Sequence, residues 1–335
     1  MSTASTVLRS TMLGAVVAVG VVTSVPGASG ADPAGTMARV GRVYTGSPST
    51  VPRGFSTFSE RLQELGWAEG RNLVFETRWA EGQDERFPQL IRDLVERRVD
   101  VIVVTGTAAA VAAKQATSSI PIVVAGTGDP VTAGLVESLA RPGGNVTGLS
   151  VQNTEGMPGK WLELLKEAVP RLATVVVIVS PSNPLAGVYE KRFQAAARAQ
   201  NLKVRFLPVN REDALDDTFE RASRQAQAAV VVPDVFTMYH RKQITMLAAK
   251  RRLPTMYGLL DFADVGGLIA YGVDMTAVYQ SAAIYVDKIL RGAHPADLPI
   301  QQPTKFTLVV NLKAAKALGI AIPGSILLRA DEVIR

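Results

Sequence analysis

Glycines and small hydroxyl-bearing residues gather where the apolar runs of this chain stop. Val101-Ile102-Val103-Val104 breaks into Thr105-Gly106-Thr107, and Ile122-Val123-Val124-Ala125 into Gly126-Thr127-Gly128-Asp129. The same change follows Val40 to Tyr44 at Thr45-Gly46-Ser47, Val175 to Val179 at Ser180-Pro181-Ser182-Asn183, and Val230 to Val232 at Pro233-Asp234. Where such a break opens a helix, the unpaired N–H groups and the positive end of the helix dipole suit an anion such as a carboxylate. This applies to Thr45, Gly46 and Ser47 and to Thr105, Gly106 and Thr107. Asp129 and Asp234 can accept from an ammonium group, Ser182 and Asn183 offer neutral hydrogen bonds, and Tyr257 and Tyr271 offer a ring face or a hydroxyl. Asp274, after Tyr271-Gly272-Val273, suits either an acid facing a ligand or a hinge position. Each residue also has a plainer role. Serine, threonine and aspartate at these positions cap helices or form turns, and tyrosines at strand ends pack into cores.

The motifs of catalysis are missing. There is no G-x-G-x-x-G after a strand, no G-x-x-x-x-G-K-[ST] and no G-x-S-x-G, so the usual cradles for nucleotides and nucleophiles are not encoded. The two histidines, His240 and His294, have no partner at metal spacing, and the lack of cysteine rules out thiol catalysis, disulfides and thiolate metal sites. Neither a catalytic residue nor a cofactor or metal is expected. The net charge of +6 comes from bases interleaved with acids, as in Arg92-Asp93 and Glu96-Arg97-Arg98, which reads as solvated helix faces rather than a nucleic-acid surface.

The elements that must position these rims alternate. Four or five apolar residues without polar alternation form a strand covered on both faces, as in a parallel sheet between helices, where ligands bind beyond the carboxyl ends of the strands. Strands are expected at Val40 to Thr45, Asn72 to Trp79, Val101 to Val104, Ile120 to Ala125 and Asn145 to Ser150. Helices are expected at Val51 to Leu65, Asp84 to Arg98, Thr107 to Thr117 and Val131 to Ala140. A second unit of about five strands starts after a helix at Trp161 to Ala168, with strands at Thr174, Lys203, Ala229, Thr255 and Gly267 and helices at Val188 to Ala199, Asp213 to Gln227 and Tyr239 to Arg252. The helix Thr276 to Arg291 and the extended Phe306 to Val310 come after this unit, so the chain is expected to cross back to the first lobe and return. Lobe 1 would then be residues 38–150 plus 275–302, and lobe 2 residues 151–274 plus 303–335.

Residues 1–30 have the order of an export signal, with Arg9 before an apolar run from Met12 to Val25 and small residues up to Gly30. The mature chain is expected to start near Ala31 and, with 335 residues in the whole sequence and no cysteine to carry a lipid, to be a periplasmic, unanchored, monomeric protein.

Four segments carry a family resemblance: Leu62-Gln63-Glu64-Leu65-Gly66-Trp67-Ala68-Glu69-Gly70-Arg71-Asn72-Leu73, Trp79-Ala80-Glu81-Gly82, Arg141-Pro142-Gly143-Gly144-Asn145-Val146-Thr147-Gly148, and Pro303-Thr304-Lys305-Phe306 through Gly319. In these the chain resembles the solute-binding subunits of ABC importers grouped with tryptophan and tyrosine binders, from about Val40 to Arg335. The resemblance implies a type I periplasmic-binding fold: two doubly wound α/β lobes, joined by three crossovers, that close on a small molecule and deliver it to a membrane permease. Many such proteins carry paired arginines in the signal. This chain has Arg9 alone, which points to the general secretory route. With the resemblance in view, the rim chemistry suits an amino acid, possibly aromatic: helix starts for its carboxylate, an acid for its amine, a tyrosine for its side chain. A ligand-sensing receptor without a transport role and an α/β enzyme are the alternative readings.

Overall fold

The structure, a computed structural model, describes residues 37–51, 54–151 and 156–335; the segment read as an export signal lies outside them. The first sheet is built from β1 (Ala38–Tyr44), α1 (Phe55–Glu64), β2 (Leu73–Trp79), α2 (Phe87–Glu96), β3 (Val101–Val104), α3 (Thr107–Ala116), β4 (Ile122–Thr127) and β5 (Val146–Ser150). Its five strands are parallel in the order β2-β1-β3-β4-β5.

The apolar runs behave as strands covered twice. Val101 and Val103 face a cluster with Phe58 and Leu62 of α1, whereas Ile102 and Val104 face Phe87, Ile91 and Leu94 of α2 and the alanines of α3. Burying each such side chain is worth about 1.5–3 kcal/mol relative to exposure, which holds the strand ends, and hence the rims, at fixed positions. Gly148 explains part of the Asn145–Gly148 motif. Its φ is +128°, and a Cβ there would lie 2.4 Å from the Val124 carbonyl oxygen, so β5 can lie beside β4 only with glycine at this point.

The second sheet follows, from α4 (Met157–Ala168), β6 (Thr174–Val179), α5 (Ala186–Ala199), β7 (Lys203–Pro208), α6 (Leu215–Gln225), β8 (Ala228–Val231), α7 (Val235–Tyr239), α8 (Arg241–Lys250), β9 (Thr255–Tyr257) and β10 (Ile269–Gly272). The chain then returns. Helix α9 (Met275–Leu290) packs Tyr279, Ala282, Ala283 and Val286 on the first sheet beside α1, and Gln301 pairs with the strand-end residues Gly148 and Ser150. It crosses a third time into β11 (Thr307–Asn311), α10 (Leu312–Leu318), α11 (Gly324–Arg329) and β12 (Glu332–Ile334). The second sheet therefore has seven strands, in the order β12-β11-β10-β9-β8-β6-β7, rather than about five, and only β11 against β10 is antiparallel. Two doubly wound α/β sheets joined by crossovers are what the apolar runs led us to expect.

Three local expectations are corrected. Val131 to Ala140 is not a helix. The Asp129 side chain accepts from the Thr132 N–H and hydroxyl, Leu135 N–H turns back to the Pro130 carbonyl, and Glu137 N–H goes to Pro142, so local hydrogen bonds take the place of an i to i−4 ladder. The helix expected from Val51 begins at Phe55, which leaves Thr45-Gly46-Ser47 away from any helix start. The helix expected from Tyr239 to Arg252 is α8, two residues shorter at each end, and a separate short helix that was not expected, α7, precedes it and meets it at His240.

Candidate functional site

The carboxyl ends of β1, β3 and β4 face those of β6 and β8, and the two lobes touch there. Ser182 Oγ–H donates to Asp84 Oδ2 at 2.7 Å, Arg192 lies 3.7 Å from Asp129, and Val235 joins the apolar cluster of the first lobe. These contacts enclose a cavity of about 100 Å³, counting only positions that the centre of a water molecule can take. About 10–15 Å³ by that measure holds one water, so the space accommodates a small organic molecule.

The first lobe contributes the rim of α3. Gly106 N–H already donates to the Gly126 carbonyl, but the first-turn N–H groups of Thr107, Ala108 and Ala109 have no intrahelical acceptor. Thr107 is not a side-chain cap. Its Oγ1 sits 3.2 Å from Thr127 Oγ1 and accepts from Gly128 N–H at 3.0 Å, tying the β3 and β4 rims together.

Two carboxylates line the cavity, one from each lobe. Asp84 lies in the short 3-10 turn Asp84–Arg86 ahead of α2. Its Oδ2 holds Ser182, while its buried Oδ1 has no hydrogen-bond partner among the described residues. Burial pushes this carboxyl up, the Ser182 bond opposes the rise, and neighbouring Glu85 adds to it. Asp234 begins α7 in a capping box: it accepts from Thr237 N–H at 2.8 Å, its own N–H donates to Thr237 Oγ1 at 3.1 Å, and it also accepts from Ser180 N–H at 3.2 Å. Burial, with the like charge of Asp84 adding to it against the opposing bonds from Thr237 and Ser180, raises this carboxyl to about 7. Among the described residues no lysine, arginine or histidine lines the cavity. The remaining wall is largely apolar, with Val151, Leu185, Val235, Met238, Leu259 and Met275.

Of the residues selected from sequence, Thr45, Thr105, Gly106, Thr107, Thr127, Asn183 and Asp234 line this cavity. The others do not. Gly46 offers its carbonyl to Glu81 N–H, and Ser47 closes a turn with Thr50 instead of capping a helix. Asp129 and Ser182 make the contacts between lobes described above. Tyr257 is 1% exposed and stacks on Phe262 at 4.7 Å, so its ring belongs to the core, where burial pushes its hydroxyl pKa up. Tyr271 packs on Phe306 at 5.8 Å, and its carbonyl accepts from Trp161 Nε1 at 2.9 Å. Asp274 caps α9 through Thr276 N–H and faces a separate groove beside the crossovers. The sequence reading missed Asp84, which it had placed as an ordinary helix start. The clue was its position five residues beyond Trp79, at the end of a strand run, just after the turn Ala80-Glu81-Gly82. No group of three or more histidines, cysteines or carboxylates is placed to hold a metal among the described residues. No helix among them is long and apolar enough to cross a membrane.

Comparison with known proteins agrees with this architecture. Residues 50–334 match the family model of the ABC transporter substrate binding protein. A domain from Streptococcus pneumonia, crystallised in complex with L-Trp, superposes with a TM-score of 0.82 at 26% identity over 89% of this chain and 100% of that one. A conserved domain protein from Vibrio cholerae gives 0.83 at 26% identity over the same shares. The tyrosine-binding protein of Clostridioides difficile is 24% identical over 78% of this chain and 75% of its own length. The fold is that of the type I periplasmic-binding proteins, and the family is extracytoplasmic and binds solutes rather than transforming them. By a match that runs through nearly all of both sheets, the chain belongs to the family of ABC transporter substrate-binding proteins.

Proposed function

We propose that this protein captures an L-amino acid with an apolar side chain between its lobes and hands it to a membrane permease. The ligand carboxylate sits on the first turn of α3, against Thr107 and Ala108. Its ammonium group donates to Asp84 Oδ1, with Asp234 facing it from the other lobe. Its side chain lies among Met238, Leu259, Met275 and Val151. The observation that carries this reading is Asp84 Oδ1, a buried acceptor that has no donor among the described residues, in a cavity to which those residues bring no cation. Leaving such an atom unpaired costs about 1–3 kcal/mol or more, and an ammonium group removes that cost. The ligands printed for two similar proteins, L-Trp and tyrosine, support the amino-acid class.

In this reading residues 38–150 with 275–302 move as one body and 151–274 with 303–335 as the other, and the ligand's contacts are completed only on closure. Residues 1–30 direct export to the periplasm, and the protein acts as a monomer without cofactor or nucleic acid. Thermal-shift screening of the purified mature chain against the proteinogenic L-amino acids, a sugar panel and purines tests the ligand class. Stabilisation by one or more apolar amino acids is expected, since a ligand that binds only the folded state raises its stability. A shift with a sugar or purine and with no amino acid refutes it, and turnover of the bound ligand would refute the binding role.

A further inference from the structure

Asp84 and Asp234 enter one cavity from opposite lobes, and among the described residues no basic side chain lines that cavity. Asp84 meets Ser182 across the cleft and has Glu85 beside it. Asp234 is held by Thr237 and Ser180, with the buried phenol of Tyr189 on α5 nearby. Arg192, on that helix, does not line the cavity; its Nη2 lies 3.7 Å from Asp129, and its buried Nη1 has no hydrogen-bond partner among the described residues. Two full negative charges in so enclosed a space, with no basic group among the described lining residues, are strongly unfavourable, and a single proton on one of the two carboxyls relieves them.

Resting on the amino-acid reading above, we propose that the closed, ligand-free site holds one proton on the Asp84 and Asp234 pair and that the ligand's ammonium group displaces it, so that capture releases a proton. The carboxyl O–H bond breaks, the proton passes to solvent buffer, and an ammonium N–H donates to the freed carboxylate. The direction for Asp234, driven up by burial and by Asp84, agrees with this. The sign follows from linkage. The free site binds the proton below neutral pH and the liganded site does not, so apparent affinity rises with pH and levels off once the free pair is ionised.

Isothermal titration of the full mature chain with L-tryptophan, and with each other apolar L-amino acid, tests this at pH 6.5 in buffers of different ionisation enthalpy. Release of about 0.5 to 1 proton per ligand is expected, with affinity rising by up to about tenfold per unit from pH 5 to 7. Asp84→Asn leaves the α7 capping box intact, and in that variant the release falls below that of the unmodified chain while the Asp234 carboxyl, followed by carbon-13 NMR, titrates lower, because one of the causes that raise it is gone. Binding without proton release, or an Asp234 titration unmoved by Asp84→Asn, overturns this proposal and leaves the amino-acid reading standing. Binding of none of these amino acids overturns both, whereas the two proposals fail separately in every other outcome.

Discussion

At Gly82 the backbone of one lobe lies against the Tyr239 side chain of the other, and a single methyl group there should keep them apart. The glycine lies in the turn after β2, held by its N–H to the Thr45 carbonyl at 2.8 Å, with φ of +77°. A Cβ at this position would sit 2.6 Å from Cδ1 and 2.7 Å from Cγ of Tyr239, at the end of α7 on the other lobe. Carbon atoms in contact prefer about 3.5–4.0 Å. Tyr239 cannot swing away freely, because its ring stands edge-on to His240 at 5.0 Å. Overpacking of this kind costs about 1–3 kcal/mol, and here the cost falls on the closed state alone.

Gly82→Ala should therefore weaken ligand binding about 5- to 150-fold, the range that such a coupling energy spans. It should also lower the melting temperature by a few degrees, because alanine in the left-handed region costs about 1–2 kcal/mol whether the lobes are open or closed. The two effects are separable. Titration calorimetry reads the first, calorimetric melting without ligand reads the second, and small-angle scattering shows whether the liganded variant stays expanded. Adding Tyr239→Ala removes the two ring contacts and leaves only the residue 239 Cβ, 3.0 Å away, but does not relieve the backbone strain, so the double variant should recover most of the affinity while keeping the lowered melting temperature. An unchanged dissociation constant in Gly82→Ala, or no recovery in the double variant, would refute the claim that this contact limits closure.

Asp84→Asn should reduce amino-acid affinity about 10- to 100-fold, the loss of a charged hydrogen bond of about 1.5–3 kcal/mol, with the melting temperature within two or three degrees of the parent. Because Asp234 is raised to about 7, the ligand-free native state holds a proton that the unfolded chain has already released. Stability in urea should thus be greatest near pH 4 and fall as pH rises through 7, by at most about 4 kcal/mol; a flat profile would remove Asp234 as the cause. Thr107→Val strips Gly128 N–H and Thr127 of their shared partner and should cost about 1–3 kcal/mol in urea unfolding. Tyr257→Phe should leave affinity within about twofold, since its ring is in the core; a tenfold loss would put that hydroxyl back at the ligand.

The parallel sheets were legible because their strands are written as unbroken apolar runs, and the general rule for such sheets put Thr105, Gly106, Thr107 and Thr127 at a ligand-facing rim. The rule locates strand ends but not the direction of each side chain. Tyr257 pairs with Val231, and both face the cluster of α6 and α8, so strand parity carries the ring down into the core. Rim acids have the same ambiguity. Asp129 turns to its own Thr132 and to Arg192, whereas Asp84, which reads as a helix start, leaves one oxygen bare in the cavity. Competition for a carboxylate among nearby N–H groups and a partner lobe depends on distances that spacing alone does not encode.

The polar contacts that join the lobes are modest in energy. The Ser182 bond to Asp84 and the Arg192 pair with Asp129 reach the protein surface, where such interactions contribute about 0–1 kcal/mol each. Against them stands the approach of two carboxylates, which closure brings into one water-poor space. The balance between open and closed lobes is therefore narrow, and a ligand can move it only through contacts that differ between the two states. The α3 N–H groups belong to one lobe and hold a carboxylate equally well when the cleft is open. An ammonium group between Asp84 and Asp234 is different, because it turns a repulsion across the seam into two attractions. Selection for an amine, on this argument, comes from the closing motion itself: an acid lacking one, such as the corresponding 2-keto acid, should dock on α3 and leave the lobes apart, which small-angle scattering with each of the two ligands would show.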